Sequence, residues 1–308
     1  MTEWTHPPYA DPARFTEQET ALNADGRAVP GTVTLPERPN GIGVVLLSGG
    51  GPFDRDETSG PNKPLKDLAW GLASWGVTVL RFDKVSFARP ALMTEPGFTM
   101  TADYVPHAIA AVHKLREYVE HVFLIGHSMG GKVAPKIAAE EPSVAGLIIM
   151  AGDTQPMQHA AVRVMSYLAT TSPEAVPLEV VERFKRQSAV VDSPDLSPDT
   201  PSTDLPFGMP ASFWLDLRDY DPVATAAKLD VPILILQGGR DYQVTVADDL
   251  PAWRDGLPDA TIKILEADNH LFFPGTGPST PADYATAQHV DPEALITIAR
   301  WMLRTTRS

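Results

Sequence analysis

A serine, an aspartate and a histidine stand in this chain where a nucleophile, an orienting acid and a general base would be needed. Ser128 lies in Gly126-His127-Ser128-Met129-Gly130-Gly131. The apolar run before it, Val122 to Ile125, reads as a buried strand, and the alanine-rich segment Val133 to Ala139 reads as a helix. A serine between a strand end and a helix start occupies a sharp turn, where flanking glycines admit neighbouring backbone and the hydroxyl is pushed outward. The free N–H groups and positive dipole end of the helix favour an oxygen anion forming beside it. Three fixed positions recur by chance in long chains, so the weight rests on this strand-turn-helix context.

A serine hydroxyl is a poor nucleophile until a base takes its proton, and that base needs a carboxylate to fix its tautomer. In a parallel sheet both partners should sit on loops at the carboxyl ends of strands. After the apolar run 231–237 comes Gly238-Gly239-Arg240-Asp241, and after 261–265 comes Ala267-Asp268-Asn269-His270. The order Ser128, Asp241, His270 results, with Asp268 as a reserve orienter. Of the eight histidines, His127 adjoins the nucleophile but points elsewhere on the turn and reads as a packing or orienting residue. His107, His113 and His159 fall in helical patterns, and His6, His121 and His289 lie outside any suitable loop. Two N–H groups must meet the developing oxyanion. Met129, next after the nucleophile, supplies one, and Gly50 in Ser48-Gly49-Gly50-Gly51-Pro52 is expected to supply the other, with Gly51 second and Pro52 unable to donate.

The elements that must position these residues follow from periodicity. Residues 17–24 and 29–35 read as strands joined by Asp25-Gly26, a hairpin signal. Further strands are expected at 42–47, 77–82, 121–126, 146–151, 231–237 and 261–265, with helices at 64–75, 101–119, 132–140, 245–255 and 290–304. Alternation of this kind gives an α/β protein with a mostly parallel, doubly wound sheet. It pauses between Gly152 and Val231, where helical patterns at 158–169, 177–191 and 212–229 surround a proline-rich loop. That stretch is too long for a simple crossover. The expected division is therefore a core of 1–152 and 230–308 with a helical lid at 153–229.

Composition narrows the partners. The 308 residues are 43% hydrophobic, enough for a full core, and the net charge of −14 disfavours phosphate backbones and anionic membranes. With no cysteine there is no disulfide, thiolate metal site or cysteine nucleophile. The first residues lack the basic start and apolar core of a signal peptide, and no apolar run reaches membrane-spanning length. The expectation is a cytoplasmic protein acting on a small molecule, without nucleic acid or membrane partners, and compatible with a homodimer.

The chain resembles the serine-hydrolase branch of the α/β-hydrolase fold, and within it bacterial esterases of the serine aminopeptidase-like (S33) group. The resemblance rests on Ser48-Gly49-Gly50-Gly51-Pro52-Phe53-Asp54-Arg55-Asp56-Glu57, Asn62-Lys63-Pro64, the turn around Ser128, Phe213-Trp214-Leu215-Asp216-Leu217, Gln237 to Val244, and Asn269-His270-Leu271-Phe272. It spans roughly residues 40 to 305. It implies hydrolysis of carboxylic esters without metal or organic cofactor, the helical insertion forming the acyl pocket. Phe53 and, in the insertion, Phe207, Phe213 and Trp214 are the candidate substrate contacts, aromatics that at such spacing can instead pack a lid onto the core. Acyl transfer and the cleavage of amide, thioester or carbon–carbon bonds would use the same triad. A non-catalytic ligand-binding role would normally have lost one triad member. Relatives follow the fourth strand with Asp-x-Arg-Gly-x-Gly-x-Ser, whereas Asp83-Lys84-Val85-Ser86-Phe87-Ala88-Arg89-Pro90 lacks both glycines, so this loop is expected to take another path. Asp54, Arg55 and Asp56 read either as an ion-paired group under the oxyanion loop or as a solvated turn.

Overall fold

The structure, a computed structural model, describes residues 4–307. Strands β1 (Phe15–Ala24) and β2 (Arg27–Pro36) form the expected hairpin. Both loop residues, Asp25 and Gly26, take positive φ (50° and 70°), as a two-residue turn that follows the strand twist requires. Then come β3 (Ile42–Leu47), helix α1 (Pro64–Ser74), β4 (Thr78–Phe82), the short α2 (Val85–Ala88), α3 (Met100–Leu115), β5 (His121–His127), α4 (Met129–Glu140) and β6 (Val144–Met150). Four helices follow without a strand: α5 (Met157–Thr171), α6 (Leu178–Asp192), α7 (Ala211–Arg218) and α8 (Pro222–Ala226). The chain closes with β7 (Ile233–Gly238), α9 (Leu250–Gly256), β8 (Thr261–Leu265) and α10 (Pro292–Thr305).

The eight strands form one sheet in the order β1-β2-β4-β3-β5-β6-β7-β8. The first two pairings are antiparallel and the rest parallel. Because β5 is covered on both faces, Val122 to Ile125 are fully buried, which is why the segment reads as an unbroken apolar run rather than an alternating one. One core packs α3, α4 and α7 side chains on one face, including Val105, Val133 and Trp214. The other packs α1 and α10 on the opposite face, including Leu68, Leu72 and Leu295.

The expected helix 212–229 is two helices. Asp221 turns its carboxylate onto the Ala224 N–H at 2.9 Å and Pro222 starts α8, so capping restarts the helix after a break. The expected helix at 245 starts only at 250. Asp249 is drawn into bonds with the Thr154 N–H (3.0 Å) and Thr245 N–H (2.9 Å) instead of joining it.

Candidate active site

Strand β5 delivers Ser128 with φ 53° and ψ −119°, a left-handed conformation that side-chain-bearing residues rarely hold. The surroundings enforce it. A Cβ on Gly126 would strike the Gly130 carbonyl, and one on Gly130 would come within 2.5 Å of the Leu47 carbonyl oxygen, so only glycine lets the turn close against β3. The Ser128 N–H is held by the Met150 carbonyl at 2.8 Å, and its side chain faces a cavity of about 500 Å³.

The loops after β7 and β8 bring Asp241 and His270 together. Asp241 is buried, and its Oδ1 accepts from the Gln243 and Val244 N–H groups (2.7 and 3.0 Å) while its Oδ2 meets His270 Nδ1 at 2.7 Å. A carboxylate facing Nδ1 places the proton there, leaving Nε2 of the neutral ring with its lone pair. The loop bearing His270 is fixed by Asn269, whose Oδ1 accepts from the Leu271 and Phe273 N–H groups at 3.0 and 3.1 Å. Asp268, the reserve orienter, does not reach His270. Its carboxyl is buried with no donor facing either oxygen.

Gly50 and Met129 lie side by side at the cavity wall, a Cβ on Gly50 falling 3.6 Å from that of Met129. Met129 opens α4, so its N–H has no intrahelical acceptor. Gly49 O receives the Tyr104 hydroxyl at 2.6 Å and Lys84 Nζ at 3.2 Å. Among the described residues no peptide bond is cis. In a trans peptide the C=O and the following N–H point in opposite directions, so anchoring Gly49 O on Lys84 and Tyr104 turns the Gly50 N–H away from them. Burial, and then the charges of Asp103, Glu57 and Asp153, push the Tyr104 hydroxyl well above its ordinary range, keeping it a donor.

Lys84 is the residue that sequence reasoning missed. The loop lacking the two glycines winds into α2 and sends the Lys84 ammonium to the carbonyls of the glycine loop. There it also meets Gly51 O (2.8 Å) and Asp103 (2.9 Å). Burial pulls Lys84 below the ordinary lysine range while Asp103 and Glu57 oppose the shift. Ser86 completes the cluster, donating from its N–H and hydroxyl to Asp103 at 2.8 and 3.0 Å. Lys84 fills the unspecified second position of the family loop, so nothing in the sequence marked it or its reach across 35 positions to Gly49.

Asp54, Arg55 and Asp56 do not pair with one another. Asp54 accepts from Thr58, Arg55 joins Asp83 and Glu19, and Asp56 joins Arg81 and Lys63. Glu57, next in line, is buried against the glycine loop and accepts from the Gly49 N–H at 2.6 Å. His127 turns its ring toward Glu57 rather than into the cavity, 2.9 Å from the carboxylate.

Two of the four expected substrate contacts, Phe53 and Trp214, are corrected. Phe53 is not in the cavity wall; it covers Gly51, and its carbonyl accepts from the Lys84 N–H. Trp214 is fully buried in the core beside Phe213, ring centroids 5.7 Å apart. Phe207 does line the cavity, half exposed at φ 59°. The remaining wall is apolar, with Met157 and Met165 from α5, Met209 before α7, and the stacked rings of Phe98 and Phe213, 6.2 Å apart. The acids and lysines there are already paired: Lys84 with Asp103, and Asp153 with Lys132 at 2.8 Å. Among the described residues no group of three or more His, Asp or Glu side chains is arranged to hold a metal ion, and no helix is long and apolar enough to cross a membrane.

The sheet order, the glycine-enforced serine turn and the helices on both faces define an α/β-hydrolase. The family model for serine aminopeptidase, S33, matches residues 63–273, and the chain belongs to that family. It is 35% identical to esterase EstD of Thermotoga maritima over 98% of its own length and 71% of that protein's. Among solved structures it is similar to Est1E from Butyrivibrio proteoclasticus, with a TM-score of 0.58 and 15% identity over 94% of this chain and 99% of that one. A proline iminopeptidase from Mycobacterium smegmatis gives a TM-score of 0.57 and 16% identity over 94% and 98%. These two likenesses are of fold alone.

Proposed function

We propose that the protein is a carboxylic ester hydrolase in which Ser128, His270 and Asp241 form the catalytic triad and the Gly50 and Met129 N–H groups form the oxyanion hole. The observation that carries the reading is the 2.7 Å bond from His270 Nδ1 to the buried Asp241, made at the same sheet edge as the strained Ser128 turn. His270 Nε2 takes the Ser128 proton as Oγ adds to the acyl carbon, and the tetrahedral oxyanion is met by the two N–H groups. Collapse expels the alcohol, protonated by His270, and leaves an acyl-enzyme that water cleaves by the same steps in reverse roles.

In this reading residues 153–229 act as the lid, and the cavity beneath them receives the acyl group. Its apolar wall and paired charges suit an uncharged acyl chain. An active-site-directed fluorophosphonate tests the assignment. Covalent labelling of Ser128, absent in Ser128→Ala and accompanied there by loss of short-chain p-nitrophenyl ester turnover, is the expected result. Full turnover by Ser128→Ala would refute it.

A further inference from the structure

Behind the proposed triad lies a second buried carboxylate–imidazole pair that the reaction steps do not use. His127 Nδ1 is 2.9 Å from Glu57 Oε1, and His127 Nε2 is 2.8 Å from the backbone carbonyl oxygen of His270. Both ring nitrogens thus face acceptors. A neutral imidazole has one N–H and would set its lone pair against one of those oxygens, whereas an imidazolium satisfies both. The same Glu57 oxygen accepts from the Gly49 N–H at 2.6 Å. Glu57 holds φ 54° to get there, and its side chain is 2% exposed against 6% for His127.

We propose that Glu57 and His127 are positioning residues: a buried imidazolium clamps the loop that carries the oxyanion N–H of Gly50 to the loop that carries the general base. The proposal rests on the Ser128–His270–Asp241 reading and deepens it. One end of the clamp is the Gly49 N–H, one residue before Gly50, and the other is the main-chain carbonyl of His270 itself, so the spacing between oxyanion donor and base is set by the Glu57–His127 pair.

The fit is tight. A Cβ on Gly49 would come within 2.8 Å of Glu57 Oε1 and 3.2 Å of Ser128 Cβ, which leaves no slack between clamp and nucleophile. The titratable groups facing the His127 ring are Glu57 from the loop after β3, His270 from the loop after β8, its ring 4.7 Å away, and Asp241 from the loop after β7. Lys84 acts on Glu57 from below. Burial by itself would push the His127 ring down. The Glu57 charge and hydrogen bond, the His270 carbonyl and the field of Asp241 outweigh it and raise the ring above the ordinary histidine value.

The experiment has two parts. Nitrogen-15 NMR of the wild-type enzyme at about pH 7.5, above the ordinary histidine pKa of about 6.5, is expected to show His127 protonated on both nitrogens. A neutral His127, with the proton resting on Glu57, overturns the proposal. Glu57→Gln and His127→Gln are then compared for ester turnover. Since an oxyanion hole acts in the transition state, kcat should fall about 10- to 100-fold with KM within about twofold. Wild-type kcat in both variants, or a loss carried by KM, sinks the proposal. If a variant does not fold, the wild-type spectrum still decides. An inactive Ser128→Ala beside fully active Glu57→Gln and His127→Gln would remove the clamp and leave the triad standing, whereas an active Ser128→Ala would remove the triad.

Discussion

Lys84 Nζ lies 2.9 Å from Asp103 Oδ2 and bonds the glycine loop, so the charge that orients the proposed oxyanion peptide is itself neutralised within the core. A lone buried ammonium would be costly, and a lone buried carboxylate equally so. The pair therefore couples two roles: Lys84 orients the Gly49 and Gly51 carbonyls, and Asp103 makes it tolerable to have Lys84 there.

Lys84→Met should separate these roles. It leaves Asp103 with only its Ser86 donors, at a cost of about 3 kcal/mol, and it leaves Gly49 O on the Tyr104 hydroxyl alone and Gly51 O without its ammonium donor, so that kcat drops about tenfold or more. The double variant Lys84→Met/Asp103→Asn should regain most of the stability and none of the activity. Urea midpoints and steady-state kinetics on the three proteins check this; activity restored in the double variant would remove Lys84 from the orientation of the loop.

Asp241→Asn keeps the shape of the triad but presents an amide to His270 Nδ1, which favours the wrong tautomer. In comparable triads this costs about 10⁴ in kcat, and a drop of at least about 10³ is expected here with KM little altered. Thermal unfolding should shift only slightly, since Asn Oδ1 can still accept from the Gln243 and Val244 N–H groups. A loss below about tenfold would place the orienting acid elsewhere.

Asp268 contributes to the pH dependence of stability. Its carboxyl is buried, and burial together with the Asp291 charge and hydrogen bond and the charge of Glu293 raises its pKa to about 8, Arg240 opposing. The folded protein thus keeps a proton that the unfolded chain gives up near the ordinary carboxylate range. Stability is fully present below that range, falls by up to about 1.4 kcal/mol per pH unit as pH rises toward 8, and then levels off. Asp268→Asn should flatten the slope, because an amide does not titrate over this range. Unfolding free energies from pH 5 to 9 test this, and parallel curves for variant and wild type would contradict it.

Phe207 and Trp214, similar by residue type, should behave oppositely. Trp214→Ala empties a fully buried site and should cost about 3–5 kcal/mol. Phe207→Ala removes a half-exposed ring at the cavity; it should change KM for longer acyl esters while the thermal midpoint stays close to wild type. Equal thermal losses would place Phe207 in the core.

The strands and the residues at their carboxyl ends were legible because the signals are local. Continuous apolar runs mark β3 and β5 to β7; Ser128 follows β5 at once, Asp241 stands on the loop just after β7, and His270 stands on the loop after the less apolar β8. The contacts around them were not legible. Trp214 and Phe207 carry the same apolar signal whether they face the core or the cavity. The two functions of His127 and Lys84 depend on partners 70 and 35 positions away, separations at which periodicity says nothing. The helix break at Asp221-Pro222 was readable as a cap, but the apolar spacing across 212–229 masked it.

The softness of the cavity wall has a further consequence. With no cysteine in the chain, the thioethers of Met157, Met165 and Met209 are among its most readily oxidised groups, and they sit where substrate is proposed to bind. Each sulfoxide would turn a pliant apolar surface into a rigid dipole, so oxidant exposure would register first as altered ester selectivity, ahead of any loss of folded protein.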